Sequence, residues 1–376
     1  MNAIPEDLAG AVLSIDLSAI QKNWRFLNSH AGSANCGAAV KGNAYGLGIE
    51  PVSKALWQAG CTNFFVARPK EGEELRTILP GATIYVLDGL FTDQAEFYAQ
   101  NNLVPALISI DEAREWAAFG THYGHNLPCA IHVDTGINRL GFSVKNFEAF
   151  LAETETTKGL NITLLMSHMA CADEPAHPLN KKQRDTFNAV RAMLPGVPAS
   201  LANSSGIFLG ADYAYDLVRP GIALYGGNPT PHLPNPMTAV ALLEGTIMQT
   251  REVHKGETVG YSATWQATRE TRVAVLGAGY KDGVPRSLSS KRDNNPSQVF
   301  VGGRRCPIIG RVSMDMMAVD VTDLPSPVKR GDRAEIMGSH ILIDEAASWA
   351  GTISYELLTR LGSRYARLYS ELDSES

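Results

Sequence analysis

Cysteine is scarce and poorly placed for bonding. The five, Cys36, Cys61, Cys129, Cys171 and Cys306, are odd in number and never fall in a CxxC spacing. That argues against a disulfide framework or a zinc knuckle and predicts reduced thiols in a cytoplasmic protein. No apolar run approaches the roughly 20 residues of a membrane span. No basic region precedes an apolar core near the N-terminus, so a secretory signal is not expected either. Basic charge is also short: 33 Lys and Arg stand against 39 Asp and Glu, a net charge of −6, with no basic stripe or tail. Nucleic acid and anionic membranes are therefore not expected as partners. His122, His125, His177 and His254 lack ligand spacing, and no metal is expected. Solenoid repeats and low-complexity tracts are missing too.

What is present is ordinary globular material, 376 residues with 44% apolar, comfortable for two domains. From about residue 36 to 227, strand-like apolar runs alternate with amphipathic stretches. The strand-like runs are Gly37–Val40, Asn63–Ala67, Thr83–Leu87, Val104–Ser109, Pro128–Val133, Thr163–Ser167, Ser200–Ala202 and Gly221–Tyr225. Helices are expected at Glu50–Ala59, Pro69–Leu79, Asp111–Phe119 and Leu179–Leu194. Eight such units favour a closed (β/α)8 barrel of TIM type. An open doubly wound sheet remains an alternative on pattern alone, weakened because no Gly-x-Gly-x-x-Gly follows the first strand. Four prolines between Asn228 and Pro236 read as a linker, which divides the chain into 1–235 and 236–376. The second part is expected to be mainly β. Its runs are Thr238–Thr250, Glu257–Trp265, Arg272–Leu276, Val299–Val301, Pro307–Val312, Met317–Val321 and Arg333–Gly338, with turns at Asp282-Gly283 and Val301-Gly-Gly-Arg304 and a closing helical tail near Ile343–Leu361. The early run Ala11–Leu17 is a candidate strand of this second domain.

Catalytic groups of such barrels stand at the C-terminal ends of the strands. Lys41 closes the first, inside Cys36-Gly-Ala-Ala-Val-Lys41-Gly-Asn-Ala-Tyr45-Gly-Leu-Gly48. A desolvated lysine loses basicity and becomes a nucleophile, and its usual covalent partner is pyridoxal 5'-phosphate. The plain alternative is a surface lysine, and on Lys41 alone the two stand level. Arg139 follows the fifth strand and His168 ends the sixth. Asn203-Ser204-Ser205-Gly206 follows the seventh, and Arg219-Pro-Gly221-Ile222 lies at the eighth. Loops after the last two strands often bind phosphate, where the Ser204 hydroxyl and the amides of Gly221 and Ile222 suit an anion. Taken singly, these motifs read as a helix N-cap and a strand-entry turn. Jointly with Lys41 they favour a cofactor site.

With those residues assembled, the chain resembles the alanine racemase family over nearly its whole length. Ala39-Val-Lys-Gly-Asn-Ala-Tyr-Gly-Leu-Gly48 matches that family's cofactor-lysine signature, a specific motif. Further matching blocks include Asp134–Gly141, Val259-Gly-Tyr-Ser-Ala-Thr-Trp265, Gly279-Tyr-Lys-Asp-Gly283 and Gly310-Arg-Val-Ser-Met-Asp315. The resemblance implies a head-to-tail homodimer with shared active sites that interconverts L- and D-alanine and supplies D-alanine for the cell wall. It makes Lys41 the Schiff-base lysine and Tyr261, from the partner subunit, the second base. Tyr45, Ser204, Gly221, Ile222 and Tyr355 would hold the phosphate with Asn203 nearby, and Arg219 would face the pyridine nitrogen with His168 behind it. Arg139 and the Met314 amide would orient the substrate carboxylate, and Tyr280 would stand at the entry.

Taken by themselves, His168 reads as a core histidine, Tyr261 as an exposed strand tyrosine and Tyr355 as a core aromatic. Asp315 reads as either a turn acid or an orienting group. Two positions depart from the family pattern. His132 stands where many members carry a carbamylated lysine, so Arg139 must be held another way, and Ser313 stands where some carry cysteine. The rival readings are a broader-specificity racemase of the same fold and a non-catalytic pyridoxal phosphate carrier. Related decarboxylases and a carboxylate-based barrel hydrolase fit less well.

Overall fold

The computed structural model describes residues 4–124, 126–290 and 297–370; His125 lies outside them. Seven parallel strands pair in chain order: Ala38–Ala39, Asn63–Val66, Thr83–Val86, Leu103–Leu107, Pro128–His132, Asn161–Met166 and Ala199–Ser200. The eighth, Leu217–Val218, runs parallel to Asn35–Cys36. Closure depends on one extended segment changing partners. The amides of Asn35 and Gly37 donate to the carbonyls of Asp216 and Val218, whereas that of Val40 donates to Phe65, all at 2.9 Å. On the far side, Asp216 donates to Ala199 and Arg219 to Ala202, each at 3.0 Å, completing the ring. Strands covered on both faces have no solvent side to mark with polar residues. The run Phe64-Phe65-Val66 is accordingly buried throughout.

The helices begin and end where their caps dictate. Ile110–Tyr123 starts after Ser109, whose hydroxyl accepts the Glu112 amide at 3.2 Å, carries Asp111 and Glu112 in its first turn, and stops at left-handed Gly124.

In the C-terminal part, Ala241–Val253 is the spine. It pairs with Ala11–Ile15 and Arg333–Met337 and, beyond an irregularity at Ile247–Gln249, with Thr271–Leu276. The order continues through Met317–Asp320, Arg304–Ile309 and Gln298–Val301 back to Arg333–Met337, so six strands close on themselves. Closure removes the free edges that invite aggregation. Gly302 and Gly303 take φ of 58° and 78° at the hairpin Val301–Arg304, a turn that demands such residues.

Four expectations need correcting. The run Gly221–Tyr225 is a short 3-10 helix, Ile222–Tyr225, and the eighth strand precedes it. The amides of Gly221 and Ala223 turn to the Ser204 hydroxyl and that of Leu224 to the Gly221 carbonyl, so these three are not available for a sheet ladder. Burial made the run apolar, not strand pairing. Glu257–Trp265 is not one strand but the pair Thr258–Val259 and Trp265–Gln266, joined by a 3-10 turn that carries Tyr261. The tail near Ile343–Leu361 is two helices, Ile343–Ala350 and Ser354–Thr359, broken at left-handed Gly351. It does not close the chain. A last strand, Ala366–Tyr369, runs parallel to Ala11–Ile15. From it Arg367 donates to the Gly46 carbonyl at 2.7 Å and Tyr369 to the Leu47 carbonyl at 3.0 Å, bracing the loop after Lys41.

Candidate active site

A cavity of about 850 Å³ opens at the C-terminal ends of the barrel strands. Lys41, Tyr45, His132, Arg139, His168, Asn203, Ser204, Arg219, Gly221, Ile222 and Tyr355 all line it. Residues spread over more than three hundred positions are thus brought to one mouth, because the barrel strands end there and the helix Ser354–Thr359 brings Tyr355 beside them.

Lys41 enters from an unexpected backbone. Gly42, Asn43, Ala44, Tyr45 and Gly46 all have positive φ, between 52° and 84°. Ala44 donates to Val40 and Gly46 to Gly42, each at 2.8 Å, making a left-handed helical turn. Three non-glycine residues there cost about 1–2 kcal/mol each, so the surroundings must impose the shape. Among the described residues the Lys41 amine has no hydrogen-bond or ion-pair partner. Burial, helped by the positive charge of Arg139, holds its pKa below the ordinary lysine value.

Opposite the amine lies a cradle. The amides of Gly221 and Ala223 donate to Ser204 Oγ at 2.9 and 3.3 Å. A Cβ on Gly221 would collide with the Tyr45 hydroxyl. Tyr45 stacks on Tyr225 at 4.6 Å, with Tyr355 at 6.1 Å. Burial pushes both the Tyr45 and Tyr355 phenols up, the latter to about 12, so both stay protonated donors. The Asn203 side-chain oxygen accepts the Gly206 amide at 2.9 Å, at the start of a short 3-10 helix, while Ser204 is turned to the cradle. Gly221→Ala is expected to cost about 1–3 kcal/mol of crowding, read as roughly ten- to hundredfold weaker binding in a cofactor titration. Unchanged affinity would remove the Tyr45–Gly221 approach from the cradle.

Arg219 is fully buried and has no carboxylate partner among the described residues. Its guanidinium donates to the Ser167 carbonyl at 2.5 Å and to Ser200 Oγ, and stands 3.5 Å from His168 Nδ1. Burial alone brings its pKa down to about 10. Burial and the charge of Arg219 drive His168 well below its usual range and His132 to about 4, so both imidazoles are neutral near pH 7. His132 is 6% exposed, and among the described residues both ring nitrogens lack a hydrogen-bond partner. Arg139 reaches the cavity from a loop that Asp134 folds by accepting the amides of Gly136 and Ile137 at 2.8 and 3.0 Å.

Tyr261, Tyr280 and Met314 are not brought into this cavity. They sit exposed on the β domain, Tyr261 at 70%, with their loops resting on the 310–316 segment. The backbone amide of Tyr280 donates to the Ser313 carbonyl and that of Lys281 to the Met314 carbonyl, both at 3.0 Å, and Arg311 reaches Ser262 Oγ at 2.9 Å. Asp315 is engaged by Arg364. Arg364 grips both oxygens of Asp282 at 2.7 and 2.9 Å and Asp315 at 2.8 Å, tying the two loops together. Sequence reasoning missed Arg364 and Asp282, and also Glu71, which lines the cavity. Only Glu71 carried a signal, the Arg68-Pro-Lys-Glu71 helix start.

An unpaired, depressed-pKa amine suits an aldehyde, the cradle suits a phosphate, and a buried cation without a carboxylate suits a ring nitrogen. These features define a class, that of barrel enzymes built to carry pyridoxal phosphate across the mouth. The model for "alanine racemase, N-terminal domain" matches residues 15–229, and that for "alanine racemase, C-terminal domain" matches 240–369. The chain belongs to the alanine racemase family, whose members are pyridoxal-phosphate-dependent isomerases. An alanine racemase of Methylobacterium sp. (strain 4-46) is 47% identical over 361 residues, covering 96% of this chain and 98% of that protein. The crystal structure of alanine racemase from Bartonella henselae with covalently bound pyridoxal phosphate superposes with a TM-score of 0.91 at 39% identity, covering 96% of this chain and 100% of that one. The biosynthetic alanine racemase from Pseudomonas aeruginosa gives 0.87 at 36% identity, over 96% of this chain and 100% of that one. Among the described residues no helix is long and apolar enough to cross a membrane, and no cluster could hold a metal ion.

Proposed function

We propose that the chain interconverts L- and D-alanine, with Lys41 on one face of the α-carbon and the partner subunit's Tyr261 on the other. The observation that carries this reading is a separation. One cavity holds the amine, the cradle and the buried arginine, while the exposed phenol and its companions stand on the other domain. The cavity's own phenols, Tyr45 and Tyr355, are held protonated by burial and make poor bases.

Bound at the mouth, pyridoxal phosphate supplies an electron sink for the α-carbon's bonding pair. Arg139 and, like Tyr261, the partner subunit's Met314 through its amide would fix the substrate carboxylate, leaving the α-hydrogen pointing at one base or the other. Lys41, whose basicity burial lowers with help from Arg139, takes or returns the proton on its face, and Tyr261 does so on the opposite face. Arg219 would face the ring nitrogen as a donor and could not accept a proton from it. That keeps the sink weak and favours return of the proton to the same carbon.

A homodimer, a cytoplasmic location and a supply of D-alanine for peptidoglycan belong to the same reading. So does the division at 235/236, supported by matches that end at residue 229 and resume at 240. Borohydride reduction followed by peptide mapping is expected to place the cofactor on Lys41, with both alanine enantiomers racemised before reduction. A label on another lysine refutes the assignment. Bound cofactor without turnover favours the carrier reading, and equal turnover of larger amino acids favours the broader racemase.

A further inference from the structure

The left-handed turn after Lys41 needs a restraint at its start, where the amine's direction is set. The later residues are held: Asn43 Oδ1 accepts the Ile49 amide at 2.8 Å, Tyr45 stacks on Tyr225, and the Gly46 and Leu47 carbonyls are gripped by Arg367 and Tyr369. At the start, the Gly42 amide, the first after Lys41, donates to Glu71 Oε1 at 2.7 Å. The other oxygen of Glu71 accepts the amides of Ala67 at 2.8 Å and Arg68 at 3.1 Å, just past the neighbouring strand Asn63–Val66. We propose that Glu71 is a positioning residue for the cofactor lysine, one carboxylate that ties the ends of the first two barrel strands and thereby aims Lys41 at the anion cradle.

The chemistry of the side chain fits that task closely. Two separate sets of N–H groups need two acceptor oxygens, which an ionised carboxylate has and an amide does not. Gln keeps one acceptor and turns an NH₂ toward the remaining N–H donors. Asp is one methylene too short to reach both sets. An ordinary helix cap would need only the Ala67 and Arg68 side of this arrangement, so the bond to Gly42 is what capping leaves unexplained.

Glu71 also bears on the amine through charge. Lys41 is faced by Arg139 and Arg219, which lower its pKa, and by Asp88 and Glu71, which raise it, with His168 close by and neutral. Asp88 is already engaged with Arg68 at 3.1 Å. Removing Glu71's charge therefore lowers the pH at which Lys41 loses its proton, an effect not expected of Glu73, which is not among the charges acting on the amine.

This inference rests on Lys41 being the cofactor lysine, and the experiment separates the two. Full-length Glu71→Ala and Glu71→Gln are compared with wild type and with Glu73→Gln, a half-buried acid of the same helix paired, among the described residues, with Lys70. Apoenzyme is titrated with pyridoxal phosphate, and the acylation of Lys41 by an amine reagent is followed against pH by peptide mass spectrometry. Glu71→Ala is expected to weaken cofactor binding by about tenfold or more, the worth of one charge-assisted hydrogen bond. Both Glu71 variants are expected to acylate Lys41 with a midpoint at lower pH, while Glu73→Gln changes neither quantity. Folded variants with wild-type affinity overturn the proposal, as does weakened binding with an unmoved acylation midpoint. If Glu71→Ala fails to fold, Glu71→Gln decides, and failure of both assigns the residue to stability alone and also overturns it. A borohydride label that falls elsewhere than Lys41 in the wild type sinks the site reading instead.

Discussion

Lys41→Ala is expected to abolish racemisation in both directions, a loss of at least ~10⁴, because one proton carrier and the covalent anchor disappear together. The cradle at Ser204, Gly221 and Tyr45 survives the substitution, so cofactor should still bind, but reversibly and without reduction onto the chain by borohydride. Lys41 has no structural bond to lose among the described residues, and the fold should be retained. Chiral assays of each enantiomer, with absorbance of the bound cofactor, make the measurement. Residual activity within tenfold of wild type would mean that another amine does the work.

Tyr261→Phe is expected to lower racemisation by roughly 10²–10⁴ while the cofactor stays on Lys41. The residue is exposed and far from any core, so stability should move by no more than about 0.5 kcal/mol. A stronger test follows from the separation of the two bases. Inactive Lys41→Ala and Tyr261→Phe subunits, mixed and allowed to exchange, should recover activity. Half of a random mixture is hybrid, and each hybrid has one intact site of two, which gives about a quarter of wild-type turnover. No recovery would mean that both groups serve within one subunit, against the shared-site reading.

The barrel could be foreseen because parallel strands covered on both faces need uninterrupted apolar residues, and seven of the eight expected runs overlap the observed barrel strands. The eighth misled for the same reason. Buried 3-10 residues such as Ile222, Ala223 and Leu224 are as apolar as a strand, and apolarity alone does not say where the amides bond. Lys41, Ser204 and Gly221 were legible as a candidate cofactor site only through their joint placement at strand ends, since each motif has a commoner structural meaning, whereas Tyr45 and Arg219 entered as candidates through the family resemblance. Ala366–Tyr369 was missed because Ala-Arg-Leu-Tyr is too short to establish a period, and its partner, Ala11–Ile15, lies at the other end of the chain.

From the residues alone came the alternation that makes a barrel, the lysine at the end of its first strand, and the phosphate-type loops near its last. Those are local patterns, set by burial of neighbouring side chains and by backbone chemistry within a few residues. Tertiary structure decided the left-handed turn, the carboxylate of Glu71 beneath it, the grip of Arg364 on two acids, and the exclusion of Tyr261 from the cavity of its own chain. Each of these depends on groups tens to hundreds of positions apart, and the free energy that selects them exists only once the chain has closed.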